Sequence, residues 1–271
     1  MKALSKRIAA ASLMSFALFS LVLSAQAEVV PGKARYLSAA DKLLSLMQGK
    51  GQSEMPRQSD PTVAPLFAVL SDVKGTFGEE PVEAKDMGDL FDVCGKSNEI
   101  ATRYAMAGIE RLKPLAGDIP RMTIELRKLQ EESAVLYQDE LVGFQAFAVT
   151  CAAQQVAPMN TRLTSLKPEE LTTVRRAGAM QMRTGVFQMI AGGLMSEADT
   201  RLKLENRLKM LTALADNIDS LASVLPENMR SILAQSGLAG AKTVDPALKS
   251  ANDKIVEGVV KHRECVGICA L

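Results

Sequence analysis

Apolar residues in this chain recur every three or four positions almost everywhere from Tyr36 onward, and strict alternation is nearly absent. A period near 3.6 puts such residues on one side of an α-helix, whereas a half-buried strand needs a period of two. The spacing therefore predicts an all-α fold, a multi-helix bundle with long antiparallel helices. Helix starts are marked by acidic residues beside proline: Asp60-Pro61, Glu80-Pro81, Lys167-Pro168-Glu169, Leu225-Pro226-Glu227 and Asp245-Pro246. Proline suits a first turn because its missing N–H has no partner there, and a carboxylate favours the positive end of the helix dipole. On these marks helices are expected at about 36 to 49, 61 to 74, 82 to 112, 118 to 157, 168 to 195, 197 to 225, 226 to 235 and 246 to 270. Gly49 to Asp60 and Ser236 to Val244 read as mobile connections.

Two seams constrain the packing. Leu204, Leu208, Leu211, Ala215, Ile218, Ala222 and Leu225 step by four and three, a heptad stripe that needs a long neighbour. In the preceding helix Gly178, Met182, Gly185, Met189 and Gly192 keep the same step. Mid-helix glycine costs about 1 kcal/mol against alanine, so this seam predicts a close backbone approach with methionine filling the gaps. Leu141 to Thr161 and Thr184 to Met195 carry no charge. They are expected to form an antiparallel hairpin at the bundle centre. Gln145, Gln154, Gln155, Pro158, Arg183 and Gln188 in and around them argue against a membrane span.

Residues 1–27 have the order of a secretory signal peptide: Lys2, Lys6 and Arg7, an apolar run from Ile8 to Leu23, then Ala25-Gln26-Ala27. Cleavage is expected after Ala27, leaving 28–271 as one all-α domain in the periplasm or outside the cell, with no stable membrane span. Its 29 basic and 31 acidic residues leave no net positive charge, so nucleic acid is not an expected partner.

Four cysteines follow the leader: Cys94, Cys151, Cys265 and Cys269. In an oxidising compartment they read as two disulfides. Cys265 and Cys269 would sit one turn apart with parallel side-chain vectors, a poor geometry for bridging each other. Each is therefore expected to reach another helix, one to Cys94 and one to Cys151, pinning the chain end across the long helices. A minority reading places His262, Cys265 and Cys269 on one helix face as metal ligands, joined by Cys94 or Cys151; the leading expectation is no metal and no cofactor. His262, the sole histidine, is otherwise expected to be a partly buried core residue.

Other clusters are less specific. Glu79, Glu80, Glu83, Asp86, Asp89 and Asp92 lack the spacing of a calcium loop and read as a solvated helix start. Arg201, Lys203, Arg207 and Lys209, offset by Glu197, Asp199 and Glu205, read as a solvated face. A single histidine excludes most nucleophile-activating arrangements, and no nucleophile elbow, phosphate loop or H-E-x-x-H occurs. No catalytic residue is assigned. These features together suggest an exported, non-catalytic bundle of the bacterial cell envelope, acting as a scaffold or as an assembly or secretion accessory. It would work on envelope proteins or by self-association. The alternatives are a periplasmic metal- or redox-stress protein using His262, Cys265 and Cys269, and an envelope hydrolase using carboxylates.

Overall fold

A computed structural model describes residues 31–78, 82–197, 199–240 and 245–271. The expected signal peptide at residues 1–27, Glu79 and Glu80, and the end of the 236–244 connection lie outside the described residues. Most of those described are helical, with no strand among them. In chain order the α-helices are α1 (Pro31–Met47), α2 (Ala64–Leu70), α3 (Val73–Phe77), α4 (Met87–Ala105), α5 (Ile119–Leu136), α6 (Gln138–Ser165), α7 (Thr173–Ser196), α8 (Leu204–Ala222), α9 (Glu227–Gly240) and α10 (Pro246–Val260). Short-side-chain caps fix several starts. Asp72, Asp118 and Thr172 each accept from a backbone N–H three residues on, and Asp245 accepts from those of Ala247 and Leu248.

Helix α6 organises the molecule because it belongs to two cores. Its first half puts Leu141, Phe144, Phe147 and Cys151 into a core with Tyr36, Leu43, Phe67, Leu90, Ile100 and Tyr104 from α1, α2 and α4. Val149, Ala152, Ala153 and Val156 enter a second core with residues of α7, α8, α9 and α10. An uncharged helix face from Leu141 to Thr161 is thus explained by burial on both sides. Pro158 falls inside α6, yet the helix runs on to Ser165.

The central pair differs from the expected hairpin: α6 packs lengthwise on α8 rather than on α7. The two run parallel, as their cross-links share an offset of 67 residues: Asp139 with Asn206 (2.7 Å), Thr150 with Asn217 (3.4 Å) and the carbonyl of Ala153 with Ser220 (2.9 Å). Helix α7 makes the return that parallel neighbours require. Antiparallel packing holds where contacts cross in the opposite sense, as between α7 and α8, where Gly193 meets Leu214 and the carbonyl of Glu197 meets Arg207.

Several boundaries also differ. The expected helix from 82 to 112 ends at Ala105, followed by Gly108 with φ +83°, a left-handed conformation that glycine adopts without strain. The expected helix from 118 to 157 breaks at Tyr137 (φ −111°, ψ 28°), the junction between α5 and α6. Residues 236–240 belong to α9 instead of a loop. The 49–60 segment is anchored: Met55 is buried, the Pro56 carbonyl accepts from Tyr104 Oη at 2.6 Å, and the Gln58 N–H donates to Glu140 at 3.0 Å. Helix α10 stops at Val260, well short of 270, because side chains close its last turn. Arg230 Nη1 donates to the carbonyls of Val259 (3.4 Å) and Lys261 (2.7 Å), and Arg263 donates to that of Gly258.

Candidate functional site

The cysteines pair as Cys94 with Cys151 and Cys265 with Cys269, with Cα atoms 5.9 and 5.2 Å apart. The first bridge ties α4 to α6 inside the core around Phe147. The second overturns the expected connectivity. Parallel side-chain vectors would forbid it on a helix, but residues 261–271 are irregular and turn-like, so Cys265 and Cys269 face each other across a tight loop. His262 is exposed, contrary to the core position expected for it. With all four sulfurs paired, the ligand set His262, Cys265, Cys269 is not assembled, and no group of three or more metal-binding side chains gathers among the described residues.

The chain end is pinned, but by packing and hydrogen bonds rather than by sulfur to the long helices. Ile268 is fully buried in the second core. Its N–H donates to Asn160 Oδ1 of α6 at 3.0 Å, and Arg183 Nη1 of α7 donates to the carbonyl of Cys269 at 3.2 Å. Arg183 Nε is buried with no hydrogen-bond partner. Cys269 is 4% exposed, whereas Cys265 is an exposed residue. The loop thus presents one cysteine to solvent and tucks the other against an arginine.

A second polar centre lies where α2, α6 and α8 meet. Glu140, 2% exposed, holds Arg57 Nε at 3.2 Å and the Gln58 N–H at 3.0 Å, and Arg57 lies over the Tyr137 ring at 4.9 Å. Glu140 Oε2 and Tyr137 Oη have no hydrogen-bond partner. Beside them is a cavity of about 240 Å³ lined in part by Gln58, Phe67, Ser71, Glu140, Phe144 and Lys209. The neighbouring Asp139 bonds Lys203 (2.5 Å) and Asn206 (2.7 Å). Burial raises its pKa, but these two donors outweigh that and hold it below the usual carboxylate range. Both carboxylates fasten α6, one to the 55–58 segment and one to the start of α8.

The glycine–methionine seam lies along α7. Gly178, Met182 and Gly185 are buried in α7, and Met189 and Gly192 are partly buried, with Met189 packed against the core. The close approach is seen at Gly193, one residue off the seam, where a Cβ would collide with Leu214 Cδ1 of α8. Of the heptad stripe, Leu211, Ile218, Ala222 and Leu225 are buried, and Leu204 is 45% exposed. Leu214 and Leu221, outside the stripe, are also fully buried, since α8 packs on α6, α7 and α10 at once.

Each of the two charged clusters contains ion pairs. Asp89 forms a 3.1 Å ion pair with Lys33, itself 3% exposed, and Glu83 pairs with Lys85. Arg201 pairs with Asp199, and Lys203 with Asp139. Glu197 is an exception at 1% exposure, with no hydrogen-bond partner for either carboxylate oxygen. No described helix is long and apolar enough to cross a membrane. No protein-family model, curated protein or solved structure matches the chain.

Proposed function

We propose that this is an exported, non-catalytic helical-bundle protein of the bacterial cell envelope that acts through protein–protein contacts, with another envelope protein or with further copies of itself. Export is supported by the leader-like order of residues 1–27 and by the pairing of all four cysteines, a state favoured in oxidising compartments. The contact role is carried by α5. An 18-residue helix in water draws its stability from packing, yet α5 buries only Leu129 and Ser133. Ile119 and Ile124 stand 62% and 52% exposed, with Val135 and Leu136 also open to solvent.

A photoreactive residue placed at Ile119 or Ile124 tests this in the native envelope, with Lys254 as a remote exposed control. Crosslinked product specific to the α5 positions is expected, lost from a probe at Ile119 when I124K is added and from a probe at Ile124 when I119K is added, without change in helicity. A protein that yields none from α5 and stays monomeric in solution removes the basis of the proposal.

A further inference from the structure

We infer that Cys265–Cys269 is a redox-exchanging disulfide whose substrate is an external dithiol, with Cys265 the sulfur attacked and Cys269 the leaving sulfur. The inference goes beyond the contact role and stands independently of it. Thiol–disulfide exchange requires a reachable sulfur and a leaving thiolate that the surroundings favour. Cys265 is exposed, on irregular chain. Cys269 is buried, and the Arg183 guanidinium is held at its backbone carbonyl, Nη1 at 3.2 Å and Nε without an acceptor, which brings a cation to the residue that carries the leaving sulfur.

The other bridge has the opposite character. Cys151 is 3% exposed, and two packed helices hold Cys94 and Cys151 at bridging distance, which favours reclosure after any opening. Cys265 lies on irregular chain with no such scaffold, and of the residues between the two sulfurs only Ile268 is packed into the core.

The step balances. One thiolate of the dithiol attacks Cys265 Sγ; a mixed disulfide forms as the Cys265–Cys269 bond breaks, and its electron pair leaves on Cys269 Sγ. The second thiolate of the dithiol then attacks the first sulfur, Cys265 leaves, and the dithiol departs as a disulfide. Two electrons pass to the protein, and the two protons lost by the dithiol are taken up by the cysteine sulfurs or by solvent. Ile268 sits inside the ring and inside the core, so the redox state is read as docking of the chain end onto α6 and α7.

The oxidised mature chain, treated in native buffer with dithiothreitol and quenched at intervals with N-ethylmaleimide, tests this by peptide mapping. Cys265 and Cys269 should be labelled at least about tenfold faster than Cys94 and Cys151. Equal rates, or earlier opening of Cys94–Cys151, would overturn the inference. The single variants C269S and C265S, reacted with an aromatic disulfide reagent, test the order of attack. The free Cys265 of the first should exchange at least about tenfold faster than the free Cys269 of the second, and the reverse order refutes the assignment. In the C265S background, R183Q should move the pH profile of Cys269 alkylation upward and R183K should restore it. An unmoved profile overturns the role given to Arg183.

Discussion

Removing the Cys94–Cys151 bridge should cost the fold far more than removing Cys265–Cys269, by an amount set by the two loop lengths. The cysteines are 57 and 4 residues apart in sequence. In the chain-entropy description a cross-link lowers the entropy of the unfolded chain by a constant plus a term in the logarithm of the loop length, giving about 4 kcal/mol for the longer loop and about 2 kcal/mol for the shorter. Replacing Cys151 also removes a sulfur from the core around Phe147, which adds to the first figure and not to the second. For a chain of this size each kcal/mol shifts Tm by roughly 2–4 °C. The double variant C94A/C151A should therefore melt about 8–16 °C below the parent and C265A/C269A about 4–8 °C below it, followed by far-UV circular dichroism. Because the bridges share no side-chain partner, the fourfold variant should lie close to the sum. A shift for C265A/C269A equal to or larger than that for C94A/C151A would refute the reasoning, since the tail bridge would then be holding the fold and not just its end.

Three further substitutions separate the other forces. Glu140→Ala leaves Arg57 and the Gln58 N–H without their shared acceptor and should cost about 3 kcal/mol in urea unfolding, with faster hydrogen exchange at Gln58; unchanged exchange there would contradict the anchoring of the 55–58 segment. Burial, reinforced by Asp253 against the opposing pull of Arg207, raises the Glu197 pKa, so the folded state resists its ionisation. The stability it gives when protonated is present below its ordinary pKa and lost as pH rises through the raised folded value. Glu197→Gln should thus be more stable than the parent at pH 7 and no more stable near pH 4, where the side chain is largely protonated in both states; a gain independent of pH would exclude ionisation as the cause. Gly193→Ala meets the movable end of Leu214 and should cost about 1–3 kcal/mol, whereas Gly32→Ala meets the backbone carbonyl of Gly75 in α3 and should cost more. The reverse order in thermal melts would contradict that packing.

How legible the fold was depends on where the controlling interaction lies. Helix content was readable because burial on one side of a helix leaves a period, and the start of α10 was readable because Asp245 and Pro246 act locally. The break at Tyr137 was not, because no glycine or proline stands there. The turn follows from burying Tyr137 against Tyr104 while Glu140 reaches back to residue 57. The end of α10 was hidden for a related reason: its closing donor, Arg230, lies about 30 residues away on α9.

The disulfide connectivity was missed as a consequence of that hidden end. Once 261–270 is assumed helical, Cys265 and Cys269 cannot pair. Similarly, the uncharged stretch in α6 announced burial but not its partner, because α8 is reached only after α7 has turned the chain back. The cavity beside Glu140 had no signature at all. Its lining comes from α2, α6, α8 and the 58 position, brought together by tertiary packing alone.

The most direct measurement is the intact mass and N-terminal sequence of the protein recovered, unreduced, from the native envelope. The account predicts a chain that begins at Glu28 and is four hydrogens lighter than its reduced form. A chain found in the cytoplasm that still begins at Met1 and carries four free thiols would contradict it.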